Sequence, residues 1–125
     1  MLSKPNRLRR SRDFSQVYRQ GRKAVSAHLI VRVWAFSRRP EDHPGKAAGP
    51  CIGIVVSQKV HKRAVVRNRL KRRVRAAVRL LLPQLDPNLW IVINLRPEAV
   101  QCEYVEFLRE LEQLFTKLEV IHGHS

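Results

Sequence analysis

A chain of 125 residues, 44% of them hydrophobic, has the length of one domain and enough apolar side chains to bury a core. Its 25 Lys/Arg against 10 Asp/Glu give a net charge of +15, which points to a polyanionic partner. No run approaches the roughly 18 apolar residues of a membrane span, and basic residues interrupt the N-terminus before any signal-like apolar stretch. Only two cysteines occur, Cys51 and Cys102, without CxxC spacing. That argues against a disulfide framework and a zinc motif, and for reduced thiols in a cytoplasmic protein.

Residues 1–10, MLSKPNRLRR, read as a basic, largely extended arm. Ser11 is placed to cap a short helix in which Phe14, Val17 and Tyr18 follow at i, i+3 and i+4, and Gly21 ends it. Residues 23–36 read as extended, with a shorter strand at 24–26 in front of the main one. Leu29, Val31, Val33 and Ala35 then point one way and Ile30, Arg32, Trp34 and Phe36 the other. SRRPEDHPGKAAGP (37–50) is a loop by composition. CIGIVVS (51–57) is a short buried strand, and a helix of about five turns follows. Pro83 and Pro87 close that helix, and LWIVINL (89–95) is another buried strand. Beyond Pro97, Tyr104, Phe107, Leu108, Leu111, Leu114, Phe115 and Leu118 recur at helical spacing. Residues 119–125 read as a frayed tail. The order α-β-β-β-α-β-α predicts a single α+β domain, residues 1–125, with a four-stranded sheet and three helices. Two buried strands flanking a helix suggest a parallel crossover, right-handed by the general rule.

The charge is unevenly placed: 22 Lys/Arg against 4 Asp/Glu precede residue 90, and 3 against 6 follow from there. Its densest stretch is VVRNRLKRRVRAAVR (65–79), where seven of fifteen residues are Lys or Arg and none is acidic. At 100° per residue, Val66, Leu70, Val74, Ala77, Val78 and Leu81 form one apolar stripe of roughly 120°. Asn68, Arg69, Lys71, Arg72, Arg73, Arg75 and Arg79 occupy the opposite sector. A solvated helix face ordinarily interleaves Glu with Lys, because like charges at i,i+4 repel. A face that accepts the repulsion is built for a polyanion, and its excess of Arg over Lys suits phosphate and base stacking. Arg67 falls inside the apolar sector, so its guanidinium must reach past the sheet edge and face away from its neighbours. Asn68, uncharged within the basic sector, suits a specific hydrogen-bonded contact better than simple charge attraction.

No constellation for protein catalysis is evident. Asp13 stands alone, Glu41, Asp42 and His43 fall in the loop, and His28 and His61 have no visible partner. The acids after residue 97 read as the solvated face of the last helix, and His122 and His124 belong to the tail. Neither a carboxylate cluster for metal-assisted hydrolysis nor a Cys/His pair is present.

Arg67-Asn68-Arg69 followed by Lys71-Arg72 resembles the signature of the bacterial ribonuclease P protein subunit. RLRRSRDFSQVYRQGRK (7–23) is similar to that family's N-terminal segment, and GIVVSQKV (53–60) to the strand and turn before its signature helix. LWIVINLRP and the last helix stand in matching order, so the resemblance covers nearly the whole chain. It implies a four-stranded sheet with three helices and a left-handed β-α-β crossover. It also implies a cytoplasmic ribonucleoprotein in which an RNA subunit, using Mg²⁺, removes the 5′ leader of precursor tRNA. The protein alone would then be non-catalytic, with no cofactor or metal of its own. Arg67, Asn68, Arg69, Lys71 and Arg72, with Arg75 on the same face, would meet the catalytic RNA. Phe14 and Tyr18 would line a leader cleft between the first helix and the sheet, with Lys59 at its end and Arg32 and Trp34 on its strand. The combination of aromatic and basic groups is independently how proteins hold single-stranded RNA. The alternatives are a ribosome-associated RNA-binding protein and a DNA reader; the second is disfavoured by a face too uniformly basic to read bases.

Overall fold

The computed structural model describes residues 7–35 and 50–121. The element order matches the expectation: α1 (Ser11–Gln20), β1 (Arg22–Val25), β2 (Leu29–Ala35), β3 (Cys51–Val55), α2 (Ala64–Leu81), β4 (Leu89–Leu95) and α3 (Tyr104–Lys117). Short 3-10 turns at Leu82–Gln84 and Pro97–Gln101 follow α2 and β4. Phe36, Glu41, Asp42, His43 and the loop up to residue 49 lie outside the described residues, as do residues 1–6 and the tail histidines.

The strands form one sheet in the order β1-β2-β4-β3. β1 and β2 pair antiparallel, as do β2 and β4, whereas β3 runs parallel to β4 with α2 as the connection. Alternation decides the faces. Leu29, Val31 and Val33 of β2 and Ile91 and Ile93 of β4 are fully or almost fully buried against α2 and α3. The stripe of α2 seats there through Leu70, Val74, Ala77, Val78 and Leu81, with Val66 partly buried beside them. α3 adds Phe107, Leu111, Leu114 and Phe115. Truncating Phe107 or Phe115, both 0% exposed, would cost about 3–5 kcal/mol, a large share of a domain's stability. The opposite face carries a smaller cluster of Leu8, Val17, Cys51, Trp90 and Val92 under α1. The sheet is therefore sandwiched between α2/α3 and α1.

Several boundaries differ from the sequence reading. The N-cap of α1 is Arg10, and Ser11 is the first helical residue, so no side-chain cap is made. Gly21 does end the helix, but with ordinary φ (−76°). What it supplies is space: a Cβ there would lie 2.5 Å from the Val17 carbonyl oxygen and 3.0 Å from that of Val33. The basic arm is tied down at its end, because the Leu8 amide donates to the Ile52 carbonyl at 2.9 Å and Leu8 is buried. The frayed tail expected from residue 119 does not begin there. Val120 is 1% exposed, and Ile121 bridges to Leu85. α3 closes with Glu119 at φ 59°, its amide donating to Thr116 and that of Val120 to Phe115. This is the paired-bond C-cap that usually recruits glycine.

The histidines also find partners that sequence alone did not show. His61 Nδ1 accepts from the Arg63 amide at 3.1 Å. His28, in the β1–β2 turn, pairs through Nδ1 with Glu110 of α3, whose carboxylate also accepts from the Ser26 hydroxyl and the His28 amide. Burial raises the Glu110 carboxyl, but the bonds from Ser26 and His28 and the charge of His28 outweigh it and leave it below its ordinary value. Glu110 is thus no part of a solvated face. The neighbouring Cys102 thiol is pushed up to about 11, first by burial and then by Glu106 and Glu110, against the opposing pull of Arg73.

Candidate nucleic-acid interface

Seating the apolar stripe of α2 turns its charges outward. Asn68, Arg69, Arg72 and Arg79 are exposed, and Lys71 and Arg75 are half-buried. None of the five cations pairs with a described acid. Asn68, Arg72, Arg75 and Arg79 follow at 4, 3 and 4 residues and make one row about 16 Å long at 1.5 Å per residue. Two arginines leave this face. Arg73 crosses to α3, donating to the Cys102 carbonyl at 2.8 Å and lying 3.7 Å from the Glu103 carboxylate. Arg67 turns back, donating to the carbonyls of His61 (2.9 Å) and Lys62 (2.7 Å). As its position in the apolar sector implied, it points away from the row, and it fastens the turn before α2. Asn68 lies within the helix, since the N-cap is Arg63.

The second group sits on the other face of the sheet. Register places three residues from each of β2, β4 and β3 side by side: Trp34, Trp90 and Cys51; then Arg32, Val92 and Gly53; then Ile30, Asn94 and Val55. α1 lies across this grid. Phe14 packs over Gly53, where a Cβ would stand 2.4 Å from two ring atoms. One turn on, Tyr18 remains 42% exposed. Asn94 Nδ2 donates to the Tyr18 hydroxyl at 2.9 Å, and Arg32 donates to Asn94 Oδ1 at 3.0 Å. The Arg32 guanidinium then lies 4.8 Å from the centre of the Tyr18 ring, a cation–π contact. Trp34 and Trp90 meet edge to face at 5.2 Å. On β1, Lys23 stands opposite Arg32 and exposed Val25 opposite Ile30.

Phe14, Tyr18, Arg32 and Trp34 are therefore brought together on one face, as expected. Lys59 is exposed in the turn after β3, whose last residue, Val55, is in register with Asn94, so it lies beyond that end of the grid. Asn94, Trp90 and Gly53 were missed. The alternation in LWIVINL held the signal, since Trp90, Val92 and Asn94 share one face of a strand that looked uniformly buried.

The fold is an α+β sandwich that presents an acid-free basic helix face on one side and, under α1 on the other, a sheet face bearing aromatic rings and an arginine, which defines a small basic domain with a surface suited to a polyanion. Comparison with known proteins sharpens this. The sequence profile of the family described as Ribonuclease P matches residues 2–119. The chain belongs to that family. It is 47% identical to the ribonuclease P protein component of Cyanothece sp. (strain PCC 7425) over 99% of this chain and all of that one. It is 45% identical to that of Synechocystis sp. (strain PCC 6803), covering 99% and 94% of the two chains. Among solved structures, the RNase P protein of Staphylococcus aureus superposes with a TM-score of 0.77 at 21% identity, over 94% of this chain and 98% of that one. The RNase P protein of Thermotoga maritima gives 0.72 at 24% identity over the same shares. These last two speak to the fold.

Proposed function

We propose that this chain acts as the protein subunit of a ribonuclease P ribonucleoprotein, binding the catalytic RNA through α2 and the 5′ leader of precursor tRNA between α1 and the sheet. The observation that carries the reading is the unpaired row on α2. Folding has used Arg67 and Arg73 internally and left Asn68, Arg69, Lys71, Arg72, Arg75 and Arg79 for a partner rich in phosphate. The cleft supports the second half. Tyr18 offers a ring face, Arg32 a guanidinium against it, and Lys59 a cation at the end, a set that suits a single strand better than a duplex.

In this reading the RNA and its Mg²⁺ carry the cleavage, and the protein contributes binding and placement. The holoenzyme is an endoribonuclease that yields the mature 5′ end of tRNA in the cytoplasm. The test is to assay leader removal by a bacterial ribonuclease P RNA at low Mg²⁺, with and without the purified protein. Activity should require both components. Either of two results would overturn the proposal: leader removal by the protein alone would make the chain itself the nuclease, and no gain on adding it would leave a ribosome-associated RNA-binding protein as the better reading.

A further inference from the structure

The corner where the β1–β2 turn meets α3 gathers His28, Cys102 and Glu110, and one ligand-type atom from each lies within 4.8 Å of the others. None of the three belongs to the α2 row or the α1 cleft. The carboxylate is already oriented: Oε1 is held by the Ser26 hydroxyl and the His28 amide, while Oε2 is directed at His28 Nδ1. Ser26 is itself fixed by Arg96, which donates to its carbonyl at 2.8 Å. Cys102 is 2% exposed, and the side chains of His28 and Glu110 are 27% and 13% exposed. The corner thus has a dry thiol side and a wet imidazole side.

We propose that His28 Nδ1, Cys102 Sγ and Glu110 Oε2 bind one zinc ion. A thiolate and a carboxylate neutralise Zn²⁺, an imidazole nitrogen is a preferred third ligand, and a water takes the fourth position on the exposed side. Tetrahedral zinc holds such ligand atoms about 3.3–3.7 Å apart, so the Cys102 sulfur closes in by about 1 Å while Glu110 Oε2 and His28 Nδ1, now hydrogen-bonded to each other, move apart to admit the ion, both within reach of side-chain rotation. The partners on Oε1 stay in place and become the outer layer that orients the carboxylate. Binding releases the Cys102 thiol proton to solvent, and the imidazole keeps a single proton on Nε2. The sequence reading expected no metal here, because zinc motifs are recognised by ligands close in the chain. These ligands come from three segments, with His28 and Glu110 separated by 82 positions.

Cobalt(II) titration of the purified, reduced full chain tests the site, since a thiolate ligand adds a charge-transfer band that nitrogen and oxygen ligands do not. One cobalt per chain should bind with that band, zinc should displace it, and zinc should raise the melting temperature. Cys102→Ser should abolish the band and Cys51→Ser should keep it. Where Cys102→Ser fails to fold, His28→Gln and Glu110→Gln should each weaken cobalt binding at least tenfold. Absence of a thiolate band in the wild type, its loss in Cys51→Ser, its survival in Cys102→Ser, or unchanged affinity in the Gln variants would overturn the site. His122 and His124 of the tail cannot mimic the result, because they supply no sulfur.

Discussion

Asn94 ties α1 to the sheet through Tyr18 and Arg32, and Asn94→Ala tests whether its bonds act in solution. The substitution removes one donor to the Tyr18 hydroxyl (2.9 Å) and one acceptor from Arg32 (3.0 Å). A net hydrogen bond contributes about 1 kcal/mol, more when one partner is charged, but Tyr18 is 42% exposed and recovers water. The expected loss is therefore about 1–2 kcal/mol, at roughly 3–5 °C per kcal/mol in a chain of this length. Urea unfolding read by tryptophan fluorescence suits the measurement, because both tryptophans, Trp34 and Trp90, lie on the same sheet face. A cycle with Tyr18→Phe should show a coupling of about 0.5–1 kcal/mol. Freed of Asn94, Tyr18 and Arg32 would have to be ordered by the RNA at about 0.5–1.5 kcal/mol each, so precursor tRNA affinity of the holoenzyme should fall about tenfold. Additivity within about 0.3 kcal/mol in the cycle, together with unchanged affinity, would refute the reasoning.

Three further outcomes are expected. Arg72→Glu with Arg79→Glu should lower the steepness of log K against log salt for the catalytic RNA by about 2, with an unchanged slope counting against phosphate contact by the row. Phe14→Ala should weaken binding of precursor tRNA by the assembled holoenzyme and spare mature tRNA, and equal loss for both would remove the leader from the cleft. Glu119→Gly should raise stability by about 0.5–1 kcal/mol, seen as a higher melting temperature, because φ 59° strains any residue with a Cβ.

What was legible in the sequence is what depends on near neighbours. The stripe of α2 and the faces of β2 follow from periods of 3.6 and 2, and the structure repeats them except at the element ends, where Val66 is half-buried and Ala35 is exposed. The family resemblance singled out Phe14, Tyr18, Arg32 and Trp34, which the structure brings to one face of the sheet. Contacts between distant segments were not legible. Asn94 joins Tyr18 across 76 positions and Glu110 joins His28 across 82, and no spacing rule reaches that far. The end of the chain was misjudged for a related reason. Val120 and Ile121 look like two apolar residues in a polar tail until the 3-10 turn after α2 brings Leu85 beside them.

The strand order also bears on how the chain folds as it is made. Among the described strands, β4 alone joins the two halves of the sheet, since β2 and β3 each pair with it and not with each other. Until residue 95 has left the ribosome, the β1–β2 hairpin and β3 remain separate, each with an open edge, and the stripe of α2 has no complete floor. By then 22 of the 25 Lys/Arg have emerged, into surroundings of ribosomal RNA. Docking of the sheet therefore waits for the last third of synthesis, and α3, which carries three of the six late acids, closes the core at the end.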